Sequence, residues 1–226
     1  MLGLDRRVVA HELLDGETLD PSALRQNLRE MARLNRLPGG TGASIAAVRS
    51  LRPSAGGTIV DIGTGGADLP RRLRTVMPAA ALIGLDARPD VLALAATWTP
   101  RRHRVELRRG DVRALPLPDG SVDVAHASLL IHHLDPGDAL TALGEMRRVA
   151  RRGVVINDLR RGLLPFLVTA ATVLALSRGT NTRHDGVLSA RRAYSLAELD
   201  DLASGAGLRP AWRSAAFMPR VATAYR

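Results

Sequence analysis

The chain has 226 residues, 46% of them hydrophobic and 24% charged, which suits one sizeable α/β core with a modest N-terminal addition. It has no cysteine, so disulfides, thiolate metal sites and a cysteine nucleophile are excluded, and no lysine, so a Schiff base is excluded too. All 32 basic residues are therefore Arg, the net charge of +10 is permanent, and no run reaches the roughly 18 apolar residues of a membrane span.

The arginines are scattered in pairs (Arg6-Arg7, Arg71-Arg72, Arg147-Arg148, Arg151-Arg152, Arg191-Arg192), which reads as a solvated surface and not as a nucleic-acid tract. The start of the chain carries Asp5, Arg6, Arg7, His11, Glu12 and Asp15, which leaves no room for a secretory signal. A soluble, cytoplasmic protein is expected.

In chain order, Asp20-Pro21 is an N-cap followed by proline at the first helical position and predicts a helix to about Leu34. Pro38-Gly39-Gly40 breaks it, and a second helix runs to about Leu51. These two form an N-terminal helical cover over residues 1–52, and residues 53–226 form the core. After a Pro/Gly/Ser connector the units alternate: strand Thr58–Ile62 and helix Asp68–Met77, strand Ala81–Asp86 and helix Pro89–Ala96, then strand Val105–Arg108. Val122–Ala127 and Val154–Asp158 are further strands, separated by a helix opening at Asp135-Pro136. Leu163–Leu176 is apolar nearly all round and begins a helical insertion at about 162–193. It reads as a core or dimer-contact helix, or as a greasy wall above the sheet edge where a ligand binds. Ser195-Leu196-Ala197-Glu198 is a capping box for a helix to about Ala206, and Leu208–Ser214 and Val221–Tyr225 close the chain as strands. The expected fold class is α/β: a doubly wound, seven-stranded, mostly parallel sheet with a helical cover and an antiparallel C-terminal strand.

The strongest local signal is Val60-Asp61-Ile62-Gly63-Thr64-Gly65-Gly66-Ala67-Asp68, a strand entering a glycine loop that opens a helix. Glycines let the backbone approach a ligand, and free N–H groups at the helix start favour an anion. A dinucleotide fingerprint loses ground because Asp68 stands where its last glycine belongs. Asp86 closes the second strand, where such sheets hold a ribose, and Asp61, Asp86 and Asp111 follow one another at 25-residue intervals. Each βα unit thus delivers one acid to the same sheet edge, although any one alone could be a cap or turn residue.

Gly110-Asp111-Val112, Leu115-Pro116-Leu117-Pro118-Asp119-Gly120-Ser121-Val122-Asp123 and the run from His126 to Leu134 resemble the middle motifs of class I S-adenosylmethionine-dependent methyltransferases. The resemblance covers about Thr58 to Asp158 and implies a Rossmann-like methyltransferase fold with S-adenosylmethionine as cofactor. It implies that Asp86, with Ala87 beside it, holds the ribose, and that Asp111 with the Val112 N–H meets the adenine. It further implies that Gly63, Thr64 and Gly65, supported by Asp61, receive the methionine part, and that the main chain at His126, Ala127 and Ser128 borders the methyl donor. One departure is Ala67, where a third glycine is common. Within the class the chain looks like bacterial small-molecule enzymes of quinone biosynthesis and polyketide tailoring, which implies a small, aromatic or lipophilic, hydroxylated acceptor and favours O-methylation.

The sulfonium donor is already activated, so the protein mainly aligns the acceptor and accepts its proton. Histidine is the natural type for that. Candidates are His132 and His133, His184 with Asp185, and Asn157-Asp158, with His133, His184 and Asp158 foremost and Tyr194 as a polar contact. The plain alternatives are a packed or capping His132-His133 and a side-chain-bonded turn at His184-Asp185. No metal is expected, and either a monomer or a homodimer, with peripheral membrane contact open. The competing functions are an RNA or protein methyltransferase and a catalytically silent cofactor-binding module. Two Trp, two Tyr and two Phe are few for stacking a flipped base, and an Asn-Pro-Pro-aromatic motif is missing.

Overall fold

The structure, a computed structural model, describes residues 4, 6–8, 10, 12, 20–215 and 219–226. Helix α1 (Pro21–Leu34) starts where the Asp20 carboxylate accepts the Ala23 amide at 3.0 Å, and α2 (Thr41–Ser50) follows the Pro38-Gly39-Gly40 break. Then come β1 (Thr58–Ile62), α3 (Asp68–Val76), β2 (Ala81–Asp86), α4 (Pro89–Trp98), β3 (Val105–Arg109), β4 (Val122–Ser128) and α5 (Pro136–Val149). The chain ends with β5 (Ala150–Leu159), α6 (Leu163–Leu176), α7 (Thr180–Arg192), α8 (Leu196–Gly205), β6 (Pro210–Arg213) and β7 (Arg220–Tyr225).

The seven strands lie in the order β3-β2-β1-β4-β5-β7-β6, with β7 antiparallel to both its neighbours. The order reverses between β1 and β4, the switch point where open α/β sheets bind ligands beyond the strand ends. Both faces of the sheet are covered, which is why its central strands read as nearly continuous apolar runs. Val60, Ile62, Ala125 and Ile156 pack toward Leu143 and Met146 of α5 and Leu199 of α8. The alternate residues Ile59, Val124 and Val155 pack toward Val48 of α2 and Leu73 of α3.

Strand β5 begins four residues before the expected Val154, because pairing of Ala150 with Val122 carries the exposed Arg151 and Arg152 into the sheet's edge. Arg151 donates to the Asp123 carboxylate at 2.9 Å there, a contact that apolar periodicity does not register. The capping box at Ser195 and Glu198 is formed in both directions. His184 and Asp185, weighed as a turn, lie inside α7.

Candidate active site

The glycine loop after β1 is held from below. The Thr64 amide donates to Leu85 O at 2.8 Å, and the Thr64 hydroxyl donates to Asp61 Oδ2 at 2.8 Å. The other Asp61 oxygen faces His126 Nδ1 at 2.8 Å, and His126 Nε2 meets Ser44 Oγ at 2.9 Å. Asp61 is thus buried and committed to supporting the loop, and His126 is a wholly buried strut between β4 and α2. Gly63 and Gly65 take φ of +66° and +53°, the left-handed region that glycine enters without penalty. Ala67 takes φ +56° at the N-cap of α3, so the methyl at the third glycine position introduces backbone strain as well as the buried packing expected of it.

Asp86 closes β2 beside this loop, where its carboxylate accepts the Gly65 amide at 3.0 Å and the Arg88 amide at 3.1 Å. Burial pushes its carboxyl above the usual range, against the two amides that lower it. A desolvated carboxylate with lone pairs to spare beside an open glycine loop is an acceptor to which the two hydroxyls of a ribose diol can donate. A small cavity of about 130 Å³ is lined by Asp61, Gly63, Thr64, Gly65 and Ser128, and it shares Gly65 and Leu129 with a larger one.

Asp111 stands apart from this pair. It lies on the exposed sheet edge, lines neither cavity, and is clamped by Arg113, whose Nη2 and Nε reach it at 2.7 and 3.0 Å. The same guanidinium bridges to Asp138 at 3.0 Å, so the expected adenine acceptor is engaged by a neighbouring cation. The Val112 and Ala127 side chains belong to the core, and Ala87 contributes its carbonyl to Arg109 Nε at 3.2 Å. Tyr194 lies outside the cavity lining: its hydroxyl donates to Leu134 O at 2.8 Å and Arg7 stacks on its ring.

The larger cavity, about 550 Å³, sits above the sheet edge between α1, α6 and α7. Its wall is mainly apolar, with Leu24, Leu28 and Met31 of α1 facing Val168, Val173 and Leu176 of α6. Gly65 and Asp86 also line it, so it opens onto the glycine loop. His132 and His133, in the 3-10 turn after β4, are placed at its inner wall. His132 Nδ1 lies 2.6 Å from Asp158 Oδ1 at the end of β5, and its backbone amide donates to the other oxygen at 3.2 Å. Burial alone would raise the Asp158 carboxyl, but electrostatic interaction with the His132 imidazole and hydrogen bonds from His132 and the Leu159 amide hold it below the usual range. Arg7 donates to the carbonyls of His132 and Leu134 at 2.6 Å each, and Arg192 to that of His133 at 2.8 Å, which fixes the turn.

Glu12, His132 and His133 bring three donor atoms within 4.8 Å of one another, a cluster that could hold a metal ion. Glu12 also accepts from Ser189 Oγ at 2.6 Å and lies 3.6 Å from the Arg192 guanidinium, a resident cation competing for the same carboxylate. The structure sets His184 apart from this cluster. It is the exposed member of its pair, 2.9 Å from Asp185, and lies outside the cavity lining, whereas the buried Asp185 is part of it. Helical phase decides this, since adjacent helix residues point about 100° apart.

Three site residues were not singled out from the sequence. Glu12 was read only as evidence against a signal peptide, and its position follows from long-range packing on α7. Arg192 belonged to a scattered surface pair. Arg220 is buried against the same wall, donates to Asn35 Oδ1 at 2.6 Å and Ser128 Oγ at 2.7 Å, and has its pKa lowered by burial to about 10.

Residues 59–153 match the family described as Methyltransferase domain. Over 96 residues the chain is 34% identical to the demethylmenaquinone methyltransferase of Thermus thermophilus, covering 42% of this chain and 43% of that protein. It is 29% identical over 125 residues to the ubiquinone/menaquinone biosynthesis C-methyltransferase UbiE of a Geobacter species, covering 53% and 52%. These matches span about half the length of each relative. Among solved structures, human N-acetylserotonin methyltransferase in complex with S-adenosylmethionine aligns with a TM-score of 0.71 at 18% identity, over 97% of this chain and 60% of that one, a likeness of fold. Residues 59–153 thus match a methyltransferase domain, on a fold similar to that of a methyltransferase solved with S-adenosylmethionine.

Proposed function

We propose that this chain transfers a methyl group from S-adenosylmethionine to a small, lipophilic, hydroxylated aromatic acceptor, on oxygen, with the His132–Asp158 pair taking the acceptor's proton. One observation carries the reading: His132, held 2.6 Å from the buried Asp158 behind it, lines an apolar cavity that Asp86 and Gly65 also line. The bound cofactor supplies an activated methyl on its sulfonium. Asp86 binds and orients the nucleoside, and the Gly63–Gly65 loop lets backbone approach it. Asp158 orients the imidazole through Nδ1, which leaves Nε2 as the atom that accepts a phenolic proton. The apolar walls exclude water and align the ring.

Methylation on a ring carbon beside the hydroxyl is a second reading, favoured by the printed name of the Geobacter relative, a C-methyltransferase. It uses the same proton acceptance, because deprotonating a phenol activates its ortho carbon too.

The test is turnover, followed as demethylated cofactor, with phenolic, quinol and RNA acceptors, and with product mass and fragmentation to separate oxygen from carbon. Transfer to a phenol or quinol that falls at least about a hundredfold in His132→Gln, with cofactor affinity kept, supports the proposal. Transfer to RNA alone refutes it, and so does cofactor binding with no transfer to any acceptor.

A further inference from the structure

Helix α6 turns most of its large apolar side chains outward. Leu163, Leu164, Leu167, Val168, Leu174 and Leu176 are exposed, Leu164 to 62%, while Thr169 is buried and Thr172 lines the cavity. Among the described residues only Leu37 and Leu140 are exposed large hydrophobics elsewhere. A surface helix of a water-facing domain shows the opposite arrangement. Val168 and Leu176 are both exposed and part of the cavity wall, so the apolar face borders the cavity's mouth.

The charge beside this face says what covers it. Arg25, Arg29 and Arg33, spaced by four along one side of α1, line a surface groove together with Arg178, two residues beyond α6. All four are exposed, and none forms an ion pair among the described residues. A second copy of a chain carrying +10 would bring like charges together at such a seam, whereas anionic headgroups would neutralise them. At 14 residues α6 is about 21 Å long, too short to cross a hydrocarbon core of about 30 Å but suited to lying along its boundary.

We propose that α6 docks this protein on the surface of an anionic lipid bilayer. The leucines enter the acyl boundary, the four arginines sit among the headgroups, and the mouth of the 550 Å³ cavity opens toward lipid. The lipophilic acceptor then enters from the membrane, a step that rests on the acceptor reading above.

The experiment is co-sedimentation of the full chain with phosphatidylcholine vesicles containing or lacking 30 mol% phosphatidylglycerol, in low and high salt. The expected result is binding to the anionic vesicles, at least about tenfold weaker on neutral ones and weakened by salt. Leu164→Glu combined with Leu167→Glu, at positions that do not line the cavity, should weaken it by at least about tenfold, with cofactor affinity, thermal unfolding and turnover of a water-soluble phenol unchanged. No binding to anionic vesicles, binding indifferent to the leucine substitutions, or a solution dimer that those substitutions dissociate would each overturn the proposal. Vesicle binding by a chain that transfers no methyl supports the lipid surface and sinks the catalytic reading, so the two fail separately.

Discussion

Replacing Asp86 by Asn tests the cofactor cradle and separates binding from folding. The carboxylate already accepts two backbone amides at 3.0 and 3.1 Å, and its remaining lone pairs face the cavity. Asn keeps one acceptor and presents an NH₂ where the second stood, so charge-assisted bonds to the ribose hydroxyls are lost or inverted. At about 1.5–3 kcal/mol per bond to a charged group, a loss of about 3 kcal/mol raises the Kd about a hundredfold. The fold should respond far less. Burial raises the Asp86 carboxyl, so its contribution to stability is fully present below the unfolded value of about 3.9 and is lost as pH rises through the folded value. At pH 7 the desolvated ionised group therefore opposes folding, a cost that Asp86→Asn removes while its NH₂ displaces one of the two backbone-amide bonds, so the Tm of the cofactor-free protein should shift by only a few degrees. Isothermal titration with S-adenosylmethionine and its demethylated product reads the first effect, and thermal unfolding without cofactor reads the second. A Kd within threefold of the unsubstituted protein would refute the assignment, and a collapsed Tm would show that Asp86 serves the fold.

Asp111→Asn should raise the cofactor Kd by less than tenfold in the same titration, because Asp111 must first give up Arg113. Asp158→Asn should lower kcat by about 10²–10⁴ with cofactor affinity kept, since the imidazole loses its orienting partner; stopped-time turnover alongside titration separates the two. Asp61→Ala strands the buried His126 and the Thr64 hydroxyl and should cost about 3 kcal/mol in denaturant unfolding, whereas Ser44→Ala should cost only about 1. Burial would raise the Glu30 carboxyl, but hydrogen bonds from Thr182, Gln26 and the amides of Arg178 and Gly179 hold it low. Its contribution is present above the unfolded value of about 4.3 and lost as pH falls through the folded one, so below about pH 4 the protein should lose stability more steeply than Glu30→Gln.

The cofactor half of the molecule was legible because its signals are local. Proline after a capping Asp at residues 20 and 135, the Ser195–Glu198 box and the β-rich runs at 58–62 and 81–86 all act within a few residues of chain. The glycine loop and Asp86 follow from strand ends alone. What local reading missed was the partner of each acid. Asp61, Asp86 and Asp111 recur at one sheet edge, yet Asp61 is taken by His126, 65 residues on, and Asp111 by Arg113 two residues on. Of the three only Asp86 lines the larger cavity, and periodicity in the chain does not distinguish it from the other two.

The acceptor half was harder to read for a related reason. Its walls come from α1, α6 and α7 and from Glu12, segments that lie outside residues 59–153, where the domain match falls. There the apolar pattern of α6 fits a core helix, a lid or a lipid-facing helix equally well, and only the inward Thr169 and Thr172 against the outward leucines separate them. Helical phase likewise sends His184 outward and Asp185 inward, and pairing at β5 turns Asp158 onto His132. Since the methyltransferase-domain match takes in Gly65 and Asp86 but not α1, α6 or α7, the proposed acceptor choice would reside in side chains whose roles are set by tertiary packing. Exchanging α6 and α7 for those of another such domain should therefore change the acceptor methylated while leaving the cofactor Kd within a few fold.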